Sequence, residues 1–232
     1  MTERDSTTMT ELLGSVVRTL EPEPDMEQTV ERIVKTAVAT VPGTEFAGVS
    51  LLEGGRMRSI APTNELVATL DALQHELGEG PCVDAVFDRP IYRVAEIATD
   101  ERWPKFASAA AEQGIKSMLG VRLFTTSTTL GALNLYSSEA GAFDEDAEHV
   151  TDLFAAHAAI ALAGSRRQEQ LRQALRTRDT ISMAKGILMQ RHKISDEQAF
   201  SLLVQASQRS NRKLHDIAGL LVREMNAAKA AT

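Results

Sequence analysis

The chain has 232 residues, 43% of them hydrophobic and 25% charged, with a formal net charge of −7, a balance that suits one or two globular domains. Its one cysteine, Cys82, excludes an internal disulfide and gives no sign of an oxidising compartment. The most apolar stretch, residues 155–164, is Ala-rich, short and broken by His157, which excludes a membrane span there.

An N-terminal segment is set off over 1–24, and its first residues, 1–13, carry charges of both signs and lack the continuous apolar core of a secretory signal. A cytoplasmic protein is therefore expected. From Met26 to Val41 the residues Val30, Ile33, Val34, Ala37 and Val41 fall on one helical face. Two β-type runs, 46–52 and 56–60, flank Glu53-Gly54-Gly55, a hairpin signal. Residues 66–77 have helical spacing and run into a Gly-Pro turn over 77–82. A short strand over 90–94, a helix over 104–113, a second hairpin from 118–124 and 131–136, and a long helix over 143–163 complete the series. Acidic Asp144, Glu145 and Asp146 suit the start of that last helix. Strands in hairpins with helices between them predict an α+β fold, an antiparallel sheet with flanking helices.

Three stretches, Leu77–Val86, Arg89–Ala107 and Ser117–Ala147, resemble a GAF domain, and the resemblance covers most of residues 25–163. The Gly78–Cys82 turn, the Trp103-Pro104 step and the Phe143-Asp144-Glu145 closing segment carry it. The resemblance implies a small-molecule sensing fold with a pocket whose occupant it does not name. A small-molecule effector is thus an expected partner, and the cofactor is left unknown. A bilin-type attachment would need a suitably placed thiol, whereas Cys82 reads as a packed residue. His75, His149 and His157 lie on predicted helices without metal-ligand spacing. A GAF-type reductase would need several thiols, so an enzyme is not expected.

Residues 143–178 contain no proline. Steps of four and three from Val150 pass through Phe154, His157, Ala161, Gly164, Gln168, Leu171 and Leu175, a coiled-coil-like rhythm with imperfect core residues. Residues 164–177 are accordingly read as a connecting helix that also makes a homodimer. Packing of the first half on its own sheet stays open as the alternative.

The charge is unevenly placed. Residues 166–232 hold 13 Lys and Arg against 6 Asp and Glu, a net +7, and the remainder holds 12 against 26, a net −14. A basic segment can hold a polyanion that the acidic part would repel; well-solvated arginine-rich helices would give the same count. Within it, residues 178–226 predict three short helices, ahead of a tail over 227–232. The first, 180–192, sets Ile181, Ala184, Ile187 and Leu188 near one face. The second starts at Ser195, which with Gln198 makes a capping-box pattern, and its apolar face is Ala199, Phe200, Leu202, Leu203 and Ala206. Ser210-Asn211 offers a cap for the third, where Leu214, Ile217, Ala218, Leu221, Val222 and Met225 keep helical spacing. Phe200, the one aromatic of the region, is assigned to the apolar stripe, which leaves no aromatic stacking platform.

The run Ile181–Met189, followed by Ala199-Phe200, Leu203, Ala206–Leu214 and Ile217-Ala218, resembles an ANTAR domain through residues 178–226. The order GAF then ANTAR is similar to that of actinobacterial regulators. The resemblance implies RNA binding: members of that family grip paired stem-loops in nascent transcripts, which prevents a terminator hairpin, and work as dimers. Lys185, Arg191, Arg209, Arg212 and Lys213 are the candidate phosphate or base-edge contacts. Gly186 would allow close backbone approach or tight helix packing, and Ser210 and Asn211 would be polar readers at the start of helix three. Two other readings stay open: a DNA-binding helix-turn-helix regulator, and a protein-interaction module whose basic three-helix face binds an acidic partner.

Overall fold

The computed structural model describes residues 25–230, with side chains to residue 225; the segment 1–24 and the end of the 227–232 tail lie outside the described residues. Contacts divide the chain into two compact units that part between Arg167 and Gln168.

In the first unit, α1 (Met26–Thr40) is capped by Asp25, whose carboxylate accepts from Glu27 N–H, and buries Val30, Ile33, Val34 and Ala37. Strands β1 (Phe46–Glu53) and β2 (Arg56–Ile60) pair antiparallel across Gly54-Gly55, at φ 57° and 81°. Both residues are left-handed, as a tight hairpin turn of the right twist requires. Helix α2 (Glu65–Leu77) is capped by Asn64 and stopped by left-handed Gly78. The Gly-Pro stretch, read above as a turn, instead starts a helix, α3 (Pro81–Phe87). Proline at the first helical position loses no internal hydrogen bond, and its fixed φ suits the first turn. Then come β3 (Ile91–Val94), a 3₁₀ turn over Ile97–Thr99, α4 (Pro104–Glu112), β4 (Ser117–Thr125) and β5 (Thr128–Ser137).

The five strands form one antiparallel sheet of order β2-β1-β5-β4-β3. Alternation sorts its two faces. Ala47, Val49, Leu119, Val121, Leu123, Leu133 and Leu135 face α1 and the start of α5 (Glu145–His192). Met118, Ala132 and Tyr136 face the other way, against residues of α2, α3 and α4. Asp144 caps α5 through Ala147 N–H.

One close approach locks the first unit. Gly43, at φ 80°, precedes β1, and a Cβ there would lie 2.2 Å from the Ala142 carbonyl oxygen. Gly43→Ala is expected to cost about 2–4 kcal/mol, read by urea unfolding, because left-handed strain and a backbone clash add. A loss within a few tenths would show that the loop can simply move aside.

Helix α5 runs without a break for 48 residues, so the connecting helix and the first helix of the basic module are one element. The phase read for its dimer seam is corrected in the first half. Val150, Phe154 and Ala161 are buried in the core beneath the sheet. The large apolar side chains left exposed on α5 include Leu153 and Ile160 and, in the second unit, Leu171 and Leu175.

The second unit contains the end of α5, α6 (Asp196–Ser210) and α7 (Leu214–Ala230). The predicted capping box at Ser195 and Gln198 forms, with both reciprocal bonds present. Ala184, Leu203 and Ala218 make the buried centre, ringed by Ile181, Leu188, Leu214, Ile217, Leu221 and Val222. Phe200 and Leu202, read above as core, are 43% and 42% exposed. Helix α6 touches the bundle along the line of Ala199 and Leu203, and their neighbours turn about 100° away from it.

Candidate nucleic-acid interface and sensor core

The predicted contact residues fall into separate places. Lys185 is not a free cation: its ammonium lies 2.7 Å from the Asp196 carboxylate, which ties α5 to the first turn of α6. Paired and 21% exposed, this candidate contact also acts as a strut within the unit. Arg191 is exposed near the end of α5, and Gly186 is exposed two turns from that end. Among the described residues nothing stands within 4 Å of where a Gly186 Cβ would project. Inside a helix this glycine costs about 1 kcal/mol relative to alanine.

The turn between α6 and α7 gathers the rest. Arg209 lies in the last turn of α6, and Arg212 and Lys213 follow it; all three are exposed, and none makes an ion pair among the described residues. Asn211 is left-handed at φ 50° and closes α6, with Arg212 N–H donating to the Ser207 carbonyl. It therefore caps the end of helix two and not the start of helix three, because asparagine tolerates the left-handed conformation that ends a helix. Ser210 is the last residue of α6 and donates its hydroxyl to the Ala206 carbonyl. It is not at the start of helix three. Helix α6, 15 residues and about 22 Å long, separates Arg191 at its beginning from Arg209, Arg212 and Lys213 at its end.

A second constellation lies inside the first unit, and the sequence reading missed it. On the sheet face covered by α2 and α3, Gly48 of β1 and Gly120 of β4 both pair with Asn134 of β5. A Cβ at Gly48 would meet the Asp71 carboxylate at 2.8 Å, and one at Gly120 would meet the Pro81 carbonyl at 2.9 Å. The bare row lets both helices descend onto the sheet. Asp71, fully buried, accepts from the Tyr136 hydroxyl at 2.5 Å, from Asn134 Nδ2 at 2.9 Å and from the Ser59 hydroxyl at 2.8 Å. Gln74 donates to the Tyr136 oxygen and accepts from Cys82 N–H. Among the described residues none donates to the buried Asn134 Oδ1.

Burial pushes the Asp71 carboxyl up to about 6, against the lowering effect of its three donors. Burial also raises the Tyr136 phenol well above its ordinary value, with the Asp71 charge adding to it. The Cys82 thiol is pushed up to about 12 by burial and then by Asp71, so at neutral pH it stays protonated and is a poor nucleophile. The sequence did carry one signal for this network: Val67, Leu70, Asp71 and Gln74 follow core spacing on α2, and two of the four are polar.

The first unit is thus a sheet domain with one buried polar network in an apolar core, and the second is a helical module that exposes cations at the turn between α6 and α7. The chain belongs to the GAF family, whose domain model matches residues 23–163, and it carries an ANTAR domain matched over residues 169–222. GAF domains are sensors and ANTAR domains are RNA-binding antiterminator modules, so the chain has the architecture of a sensing regulator. No curated protein matches it by sequence. Among solved structures it is similar to the GAF domain of a phosphoenolpyruvate-protein phosphotransferase from Coxiella burnetii, at 18% identity and TM-score 0.55 over 70% of this chain and 96% of that one. The corresponding Acinetobacter domain gives 15% identity and TM-score 0.54, covering 70% and 98%. A free methionine-R-sulfoxide reductase from Neisseria meningitidis, solved with its substrate, gives 15% and 0.53, covering 72% and 95%. At these identities the likeness shows the fold alone. Among the described residues no helix is long and apolar enough to cross a membrane.

Proposed function

We propose that the protein is a cytoplasmic, non-enzymatic antiterminator that binds paired stem-loops in nascent RNA as a homodimer, under control of a small-molecule effector of its GAF domain. The observation that carries this is the exposed cationic set Arg209, Arg212 and Lys213, without an ion pair among the described residues, on a module of the ANTAR family. Arg191 and Gly186 supply a further contact region, while Ser210 and Asn211 shape the turn that presents the cluster. Lys185 stays among the candidate contacts, and its pair to Asp196 also supports the fold of the module. The single thiol, buried and held protonated, favours sensing over reductase chemistry.

Pairing of two modules fits the exposed Leu171 and Leu175, one helical turn apart on a polar stretch of α5. Joining two weak sites on one dimer raises the effective concentration of the second loop. Leu171→Asp with Leu175→Asp is expected to convert a dimer to a monomer in sedimentation and to reduce two-loop RNA binding to the one-loop level. An unchanged mass would remove this seam from the reading.

The whole reading is tested by crosslinking in native cells, immunoprecipitation, and sequencing of what is bound. Tandem hairpins lying ahead of terminators are expected. Recovery of duplex DNA without RNA would support the helix-turn-helix alternative, and recovery of neither would leave an acidic protein partner as the better account.

A further inference from the structure

Helices α2 and α3 lie together on one face of the sheet, and their ties run in two directions. Toward α4, the Asp84 carboxylate accepts from the Trp103 indole N–H at 2.8 Å, and Glu79 accepts from Lys105 N–H and Phe106 N–H. Toward the sheet, the polar ties centre on Asp71, with Gln74 and His75 beside it, the last within 2.9 Å of the Ser50 hydroxyl. Ala61, just ahead of α2, is left-handed at φ 49°, a strained conformation for a residue with a side chain, which a shift of the helix can relieve. Asp71 has no counter-charge. Among the described residues it makes no ion pair, and its three partners are neutral donors. The titratable groups facing it are the Tyr136 phenol from β5 and the Cys82 thiol from α3, both held protonated by burial and by Asp71, and on α2 itself His75, whose pKa burial lowers. Gly48 and Ser50 of β1, Ser59 of β2 and Gly120 of β4 bring no charge, and Arg122 of β4 is directed to the Val86 carbonyl and the Phe124 ring. A buried carboxyl without a cation keeps its place when protonated and is drawn to water when ionised.

We propose that α2 and α3 form a lid on the sheet worked by the Asp71 proton: the protonated carboxyl keeps the pair seated, and the ionised one lets it lift far more often. Protonation at Oδ2 reverses a single bond. The carboxyl O–H then donates to the Ser59 oxygen, the half-buried Ser59 hydroxyl turns its own hydrogen away, and Tyr136 and Asn134 go on donating to Oδ1. In the lifted form the carboxylate meets water, while the ties to Trp103, Lys105 and Phe106 keep the pair on α4. Burial holds the seated carboxyl near 6, against an ordinary 3.8. Below about pH 4 the proton is present whether the lid is seated or lifted, and above about pH 6 it is absent from both. Between those limits lifting rises about tenfold per pH unit, roughly hundredfold in all. The inference rests on the sensor reading only for what the lid admits: an effector that reaches this sheet face does so at neutral pH and is shut out in acid.

The test follows hydrogen exchange along the full-length protein from about pH 4 to 7.5, corrected for the intrinsic rate, with neither effector nor RNA present. Amides of α2 and α3 are expected to exchange faster than those of β4 and β5 at every pH and with a smaller urea dependence, the mark of a local opening. Their protection should fall roughly hundredfold up to about pH 6 and then stay level. Asp71→Asn should abolish that fall. Ser59→Ala, at the rim, should carry the fall on to higher pH by roughly half a unit to one unit, because a hydrogen bond to the charged carboxylate is stronger than one to the neutral acid. That variant decides the matter if Asp71→Asn does not fold. Exchange of α2 and α3 at the rate and urea dependence of the strands, or protection that ignores pH in the wild-type chain, would overturn the proposal. Because neither effector nor RNA takes part, a lid that fails here leaves the sensor reading standing, and failure of that reading leaves the lid.

Discussion

Replacing Arg209, Arg212 and Lys213 together by alanine is expected to weaken RNA binding roughly hundredfold or more at moderate salt. Each exposed cation that meets a phosphate releases counterions, so the slope of log affinity against log salt should fall in magnitude by about two to three. The loss should be nearly the same for every RNA sequence, because phosphates carry none. Stability should barely change, since the three side chains are exposed and make no ion pair among the described residues. Lys185→Ala provides the contrast. It breaks the ion pair to Asp196 and should leave the salt slope almost as it was. An unchanged slope in the triple variant would show that the polyanion lies elsewhere.

The second large effect belongs to Asp71. Its carboxyl is held near 6, above the ordinary 3.8, because burial favours the protonated form. The native chain thus holds this proton more tightly than the unfolded chain does. The resulting stabilisation is complete below about pH 4, declines as pH rises, and is lost once pH has passed about 6; it is on the order of 3 kcal/mol. Asp71→Asn removes the titration. The difference in unfolding free energy, wild type minus variant, should therefore fall between pH 4 and 6.5 and stay flat above that. Two carboxylates act in the opposite sense: the Ser138 hydroxyl holds Glu45 below its ordinary value and the Arg102 side chain does so for Asp100. Taking the difference cancels them. A pH-independent difference would mean that Asp71 stays ionised at all these values or is reached by water.

Much of this was legible in the sequence, for identifiable physical reasons. Both hairpins, α1, α2 and the capping box before α6 are local features, written in alternation, helical spacing and side chains that cap nearby backbone. What escaped depends on residues brought together from a distance or on competition between two local rules. Gly80-Pro81 punctuates a turn and also starts a helix, and only packing of Cys82 and Ala85 against the sheet face decides for α3. Asn211 can cap either neighbour; its left-handed φ settles the matter for α6. Lys185 and Asp196 stand on different helices, and no spacing rule foretold their pairing. Asp71, Asn134 and Tyr136 come from α2 and β5, so their network exists only once the sheet has closed. The heptad-like phase along α5 failed at Phe154 and Ala161 because the same residues satisfy packing against a sheet.

The margins of the sheet carry one more consequence. Its outermost strands are β2, five residues with Arg56 and Arg58 among them, and β3, only four residues long. Short, charged borders discourage another chain from adding a strand there. Association through backbone ladders, whose growth has no natural stopping point, is thereby disfavoured at this sheet, whereas pairing through helical surfaces is finite. A homodimer of the kind proposed above would be served by the latter.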